Sequence, residues 1–331
     1  MTAVAPLAAH AIGAGDNSAA GRIAAAGLTL AMLLAFPVLG LLTVAPRVLM
    51  LLGYDPALAA DIAHFLSAIR WGSPAFLAFI VLRSMLSATA RVRPVVFVLL
   101  FGVPANAALN WALIFGHLGL PALGVVGSGC STAIVQWLML LGLSGYMLMV
   151  PPAGVRLRFS GRLGVELGRI IRVGLPISGL LGLEVGVFNT TGVLMGLFGS
   201  DALGAHQLAI NFASLTFMVP LGIAQAATVR VALQLGAGRD AAARDAGFLA
   251  VALGGALMLV PCIAMLAAPR MIVGLYLDLV APENQGTAVI AVQLLVVAAL
   301  FQVFDGIQVI AAGALRGYRD TSVAMLMAAF G

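Results

Sequence analysis

Two acidic residues stand where acids are rare. Glu184 lies in GLPISGLLGLEVGVFNTTGV and Asp305 in LFQVFDGIQVIAAGAL, each deep in an apolar run of helical length. An ionised carboxylate in hydrocarbon costs several kcal/mol, so each must face a wet cavity, hold a proton or bind a cation. Glu184 is twelve residues from Arg172, and Asp305 is eleven from Arg316. At about 1.5 Å per residue both come to roughly 16–18 Å from their basic flanks, near a bilayer midplane. Neither run carries a basic residue at that depth. Two carboxylates at one level on different segments therefore point to one site for a positive guest.

Polar neighbours extend the pattern. Gln302, Asp305 and Gln308 recur every third residue and share a helix face, as do Gln207, Asn211 and Ser214 on one run and Asn106 and Asn110 on another. One such stripe reads equally well as hydrogen-bonding glue between helices. Three stripes with two acids favour a polar interior. Phe188, Phe217 and the methionines could wall it with surfaces that tolerate cations, although each also reads as ordinary apolar packing. The histidines (His10, His64, His117 and His206) lack metal spacing, and His206 reads as a helix-end residue. Arg70 falls inside a span, where it either snorkels outward or lines a cavity mouth. Cys130 and Cys262 lie in apolar runs and read as small hydrophobes. No paired Ser/His or Asp/Asp motif appears, so the chain does not read as an enzyme.

Those residues must be positioned by membrane helices. Of 331 residues 62% are hydrophobic and 9% charged, and mean hydropathy is +1.12. A soluble fold needs far more polar surface than this. Eight full spans are expected, at 23–44, 61–86, 94–115, 124–149, 171–198, 204–230, 246–267 and 286–312, with partial spans at 1–12 and 321–331. The fold class is all-α and polytopic. Pro37, Pro74, Pro104, Pro176, Pro220 and Pro261 predict kinks within spans. The pairs Gly182/Gly186 and Gly192/Gly196 suggest close helix packing.

All seventeen basic residues are arginines. Fourteen fall in loops on one side, Arg47 and Arg270 on the other, and Arg70 within a span. That bias puts the first set in the cytoplasm. The arginines form no patch interleaved with aromatics, which excludes a nucleic-acid partner.

The chain also repeats itself. GAG at 13–15 recurs at 236–238, and Ala45-Pro46-Arg47 recurs as Ala268-Pro269-Arg270, both at an offset of 223 residues. Leu86 plays the part of Leu315 after the short insertion APENQG. Six spans separate equivalent points, so the copies share one orientation, as in parallel-repeat transporters. The expected organisation is an N-terminal lobe at 1–150, an Arg-rich cytoplasmic linker at 151–170 and a C-terminal lobe at 171–331. No charged n-region or cleavage site marks the start as a signal peptide, and both ends read as cut.

Long blocks in order resemble the multidrug and toxic compound extrusion (MATE) family, in its NorM-type bacterial branch. GLPISGLLGLEVGVFNTTGVLMGLFGSDALGAHQLAINFASLTFMVPLGIAQAATVRVALQLGAG is similar to the seventh and eighth spans. FQVFDGIQVIAAGALRGYRDT is similar to the tenth, and LNWALIFGHLGLPALGVVGSGCST to the fifth-to-sixth region. The resemblance implies a twelve-helix protein with two six-helix lobes around a central cavity, in a bacterial inner membrane. It implies export of cationic, amphiphilic, drug-like compounds by antiport against Na⁺ or H⁺, with no cofactor and no oligomer required. The cation-site acids fall on Glu184 and Asp305, a lining aromatic on Phe217, and the fifth-span asparagines on Asn106 and Asn110. The first span, most of the second, most of the eleventh and the twelfth lack counterparts, so the chain reads as a fragment. Two alternatives stand beside it. A lipid-linked oligosaccharide flippase would want a cationic cavity for its pyrophosphate, and the acids count against it. An inert truncated product is the other.

Overall fold

In a bilayer the backbone cannot bond to water, and a helix satisfies its own amides within one segment. The computed structural model describes residues 1–51, 53, 55–151, 154–159 and 163–319. It places there α1 (Val4–Gly13), α2 (Asn17–Leu51), α3 (Pro56–Ile69), α4 (Ser73–Ala88), α5 (Arg93–Phe115), α6 (Val125–Met149), α7 (Leu163–Leu197), α8 (Ser200–Gly236), α9 (Asp240–Ala267), α10 (Pro269–Gly274) and α11 (Gln285–Tyr318). No strand occurs among the described residues. Eight segments there are long and apolar enough to cross a membrane, with α3 and α4 counted as one. They coincide with the eight expected spans, and α1 with the partial span at 1–12. The partial span at 321–331, Arg162 and part of the linker lie outside the described residues.

Helix ends follow local chemistry. Asp55 caps α3 by accepting from the Ala57 amide at 2.7 Å, with Pro56 in the first turn. Asp16 accepts from the Ala19 amide at 2.8 Å at the start of α2. The repeated GAG gives two matching helix stops. Ala14 bonds back to His10, Gly15 to Ile12 and Asp16 to Ala11; likewise Ala237 bonds to Leu233, Gly238 to Leu235 and Arg239 to Gln234. Gly15 and Gly238 take positive φ, 76° and 69°, which glycine adopts without steric cost.

Three sequence expectations change. Pro74 breaks its span where a kink was expected: a 3-10 turn, Arg70–Gly72, separates α3 from α4, and Pro74 sits in the first turn of α4. Arg70 lies at that break, donating to Thr43 Oγ1 at 3.3 Å with its guanidinium 5.3 Å from the Trp71 ring centre. Residues 163–170, read as linker, are already α7. Glu166 favours that helix start. It is 3% exposed and lies 3.6 Å from Arg22 and 3.3 Å from Arg169.

The chain forms two compact units, Met1–Gly174 and Leu175–Gly331. In the first, Phe79, Leu82, Leu86, Val95 and Leu143 make a core. Glycines on α6 allow close approach: a Cβ at Gly127 would stand 2.5 Å from Leu113 O, and one at Gly129 2.8 Å from Phe65 O. In the second, α8 and α11 cross tightly. A Cβ at Gly313 would lie 2.6 Å from Ala224 O, and one at Gly317 2.8 Å from Thr228 O. Thr228 is buried there and contacts Gly313 O at 2.7 Å across the crossing. Ala205, Leu208, Met265, Val273, Ala291 and Leu295 fill the space between α8, α9, α10 and α11.

The third change concerns the glycine pairs on α7. Among the described residues a Cβ at Gly182, Gly186 or Gly196 meets nothing within 4 Å, and at Gly192 only His206 Nε2 at 3.9 Å. Spacing shows that two glycines share a face; it does not show which face has a neighbour. Bulky apolar side chains such as Leu51, Phe97 and Phe304 stay more than two thirds exposed, as lipid-facing residues do.

Gly313→Ala is expected to lower stability by about 1–3 kcal/mol through overpacking. Gly182→Ala is expected to change it by less than about 1 kcal/mol. Thermal melting of both variants in detergent, read by monodisperse elution, measures the contrast.

Candidate functional site

The acids gather in the second unit. A cavity of about 310 Å³ is walled by α7 (Val185, Phe188, Asn189), α8 (Ala209, Ile210, Ala213, Ser214, Phe217, Met218) and α11 (Ala298, Phe301, Gln302, Asp305). Helical periodicity makes this wall. Phe301, Gln302 and Asp305 follow Ala298 at three- and four-residue steps, and Ala213 and Phe217 repeat the step on α8. Phe188 and Phe301 meet edge to face with ring centres 6.4 Å apart. The surface is therefore aromatic and apolar, with a few oxygen and nitrogen groups set into it.

Glu184 precedes the wall residue Val185 on α7 and is partly buried, as is Asp305. The two carboxylates lie within electrostatic reach of each other. Arg316, towards the end of α11, also reaches Glu184 electrostatically. Residue counts along each helix left Glu184 without a basic neighbour. Such counts track the backbone and omit a long guanidinium stem folded along its own helix. The ion pairs of the described residues lie at Asp16, Arg22, Glu166 and Arg169, and neither Glu184 nor Asp305 joins one. Both carboxylates thus remain uncommitted.

The other expected residues divide. Gln302 and Phe217 line the cavity; Gln207, Asn211 and Gln308 are not among its walls. Asn211 spends its amide on Gln207 O, one turn back, at 2.9 Å. Asn106 and Asn110 belong to the first unit. Asn110 donates to Asn106 Oδ1 at 3.0 Å and accepts from the Ser131 hydroxyl of α6. That is bonding between helices, the alternative left open for a single stripe. His206 lies in the second turn of α8, 8% exposed, and its Nε2 is buried with no partner among the described residues.

Asn189 and Thr216 were missed. Asn189 follows Glu184 by five residues, and its Nδ2 donates to Val185 O at 2.8 Å. Thr216 accepts from Gln302 Nε2 across α8 and α11. Its position two residues past Ser214 set it off the expected stripe. Among the described residues no cluster of three or more His, Cys, Asp or Glu is placed to hold a metal. A hard cation here would need amide, hydroxyl or backbone oxygens beside the carboxylates.

Fold and site together define a polytopic helical membrane protein built on a repeated half, with a carboxylate-bearing cavity in its second unit. The MatE family model matches residues 1–112 and 176–331. The chain belongs to the MatE family, and its similar relatives are of the NorM type. It is 40% identical over 309 residues to the "Probable multidrug resistance protein NorM" of Mesorhizobium japonicum, covering 92% of this chain and 66% of that protein. It is 40% identical over 339 residues to the Burkholderia mallei protein of the same name, covering 100% and 71%. The chain thus spans about two thirds to seven tenths of these relatives' length. Among solved structures the fold is similar to the eukaryotic MATE transporter AtDTX14, with TM-score 0.86 and 22% identity over 98% of this chain and 71% of that one. It is also similar to an Asp-to-Asn mutant of the Vibrio cholerae MATE transporter VcmN, with TM-score 0.89 and 16% identity over 99% and 73%.

Asn110→Ala is expected to lower stability by about 1 kcal/mol through loss of the α5–α6 bond. Guest affinity should stay within about threefold of the parent chain's, since the residue acts as glue. Melting and dye binding on one sample separate the two effects.

Proposed function

We propose that this chain belongs to a secondary active multidrug exporter of a bacterial inner membrane. In this reading it releases cationic, amphiphilic compounds against an inward flow of Na⁺ or H⁺. One observation carries the proposal: Asp305 lines an aromatic-walled cavity, and Glu184, next to the wall residue Val185 but not itself a wall residue, stands within electrostatic reach of it; neither joins an ion pair among the described residues. The names of the NorM relatives support the drug-export part of the reading.

The chemistry follows from charge. Two nearby carboxylates raise each other's cost of ionisation, and a proton, a Na⁺ ion or an organic cation relieves it. Guests that relieve the same charge exclude one another. Exchange on opposite sides of the membrane then couples their fluxes, provided the site opens to one side at a time. The aromatic walls suit broad selectivity, because rings accept flat apolar cations without demanding one outline. Arg316 offsets part of the charge on Glu184 and leaves Asp305 the less compensated of the two. The organisation we propose is an N-terminal lobe at 1–150, a connecting stretch at 151–170 whose last eight residues are the first turns of α7, and a C-terminal lobe at 171–331, with the arginine-rich loops in the cytoplasm.

Glu184→Gln and Asp305→Asn are each expected to weaken binding of a cationic dye about 10- to 100-fold, the scale of losing a charged hydrogen-bond partner. Each should also abolish the competition of Na⁺ or of lowered pH with that dye. Equilibrium binding to the purified chain, with drug accumulation in cells expressing it, makes the test. Unaltered dye affinity and unaltered competition in both variants would remove the coupling role assigned to these acids.

A further inference from the structure

Residues 154–159 lie along the first turns of α2, and a glycine makes room for them. A Cβ at Gly21 would collide with Arg156 O, and Arg158 N bonds to Gly21 O at 3.4 Å. A glycine inside a helix lowers its stability; this one seats another stretch of chain. From Val155 to Phe159 that stretch forms neither helix nor turn, and its side chains fall into two alternating sets. In one set Val155 is buried, while Leu157 and Phe159 are exposed. The other set is Arg156 and Arg158. Both line a cavity of about 390 Å³ with Gly154 and with Gly15, Asp16 and Ser18 around the start of α2.

This cavity carries a surplus of positive charge. Its one acid, Asp16, is already engaged: Oδ1 accepts from the Ser18 hydroxyl at 2.7 Å and from the Ala19 amide at 2.8 Å, and Oδ2 lies 3.8 Å from Arg22. Arg156 and Arg158 are exposed and join no ion pair among the described residues. Two guanidinium forks at one cavity suit the oxygens of a phosphate group. We propose that the cavity binds the phosphodiester head of an anionic membrane lipid, with Arg156 and Arg158 on the phosphate and Leu157 and Phe159 against its acyl chains. Soluble phosphates share the chemistry of that head, but exposed apolar side chains between and beside the two arginines favour a ligand with tails. The arginine bias puts this end of α2 at the cytoplasmic surface, where the leaflet carries anionic lipid. The bound lipid fastens to the bilayer the segment that joins the two units in sequence. The site belongs to the first unit, so the inference does not depend on what the second unit binds.

Native mass spectrometry of the purified chain in detergent, titrated with phosphatidylglycerol or with phosphatidylcholine, makes the test. The wild type should bind its first phosphatidylglycerol about 10-fold or more tighter than phosphatidylcholine, the scale of two arginines near a membrane surface. Arg156→Gln with Arg158→Gln should bring that ratio close to one. Gly21→Ala keeps both arginines but displaces their segment, and it too should lower the ratio. Leu157→Ser with Phe159→Ser should weaken both lipids alike. The control, Arg239→Gln with Arg244→Gln, removes the same charge elsewhere on the arginine-rich side and should leave the ratio unchanged. If Gly21→Ala does not fold, the exposed arginine pair and its control still decide. Equal wild-type affinity for the two lipids, a preference that survives loss of Arg156 and Arg158, or an equal loss in the control overturns the proposal. Glycerophosphoglycerol, the same head without tails, should not displace the lipid at equal concentration. If it does, the cavity is a site for soluble phosphates and the lipid assignment falls.

Discussion

Backbone amides inside a bilayer must find their partners within the protein, and this constraint shapes the second unit. At the α8–α11 crossing, Gly313 and Gly317 let two backbones approach closely, and the Thr228 hydroxyl bonds across the gap. Without a hydrophobic drive between helices in lipid, such close approach is a main source of association. The crossing brings Thr216 of α8 to Gln302 of α11, and it sets Ser214 and Phe217 around the same cavity as Asp305. Larger side chains at the two glycines would push the helices apart and carry the cavity wall with them.

Three acids in this chain show how environment divides one chemistry into two roles. Glu166 is almost wholly buried, yet Arg22 and Arg169 meet its oxygens, so its charge is spent on holding the first turn of α7. Glu184, five turns along the same helix, and Asp305 on α11 join no ion pair among the described residues; Arg316 reaches Glu184 only at electrostatic range, and Glu184 in turn reaches Asp305. Charge held in reserve is available for exchange; charge already paired is structural.

Much of this architecture was legible in the residues. The spans were readable because an apolar run of helical length has few other fates, and both deep acids were readable because they interrupt such runs. The GAG repeat announced two helix stops, and the structure gives both the same bonds. The cavity's membership was only partly legible. Periodicity grouped Gln302 with Asp305 but also offered Gln207, Asn211 and Gln308, which are absent from the walls. It missed Thr216, whose part depends on a neighbour 86 residues away. The glycines of α7 failed as packing signals for the same reason, while Gly313 and Gly317 drew no notice although each stands against the backbone of α8. Spacing describes one helix, and contact requires two.

The matched turns at Gly15 and Gly238 reach back in time. Identical stops 223 residues apart are what a doubled gene leaves behind, and they mark where the two descendants can be laid in register. Past the APENQG insertion the register becomes 229 residues, and Asp305 then falls opposite Phe76. That phenylalanine lies just beyond the break at Arg70–Gly72, in a stretch that the other descendant keeps as one continuous rod. The two halves differ in labour as well as in shape: one carries a charge at this point on an unbroken helix, and the other carries a ring beside a 3-10 turn.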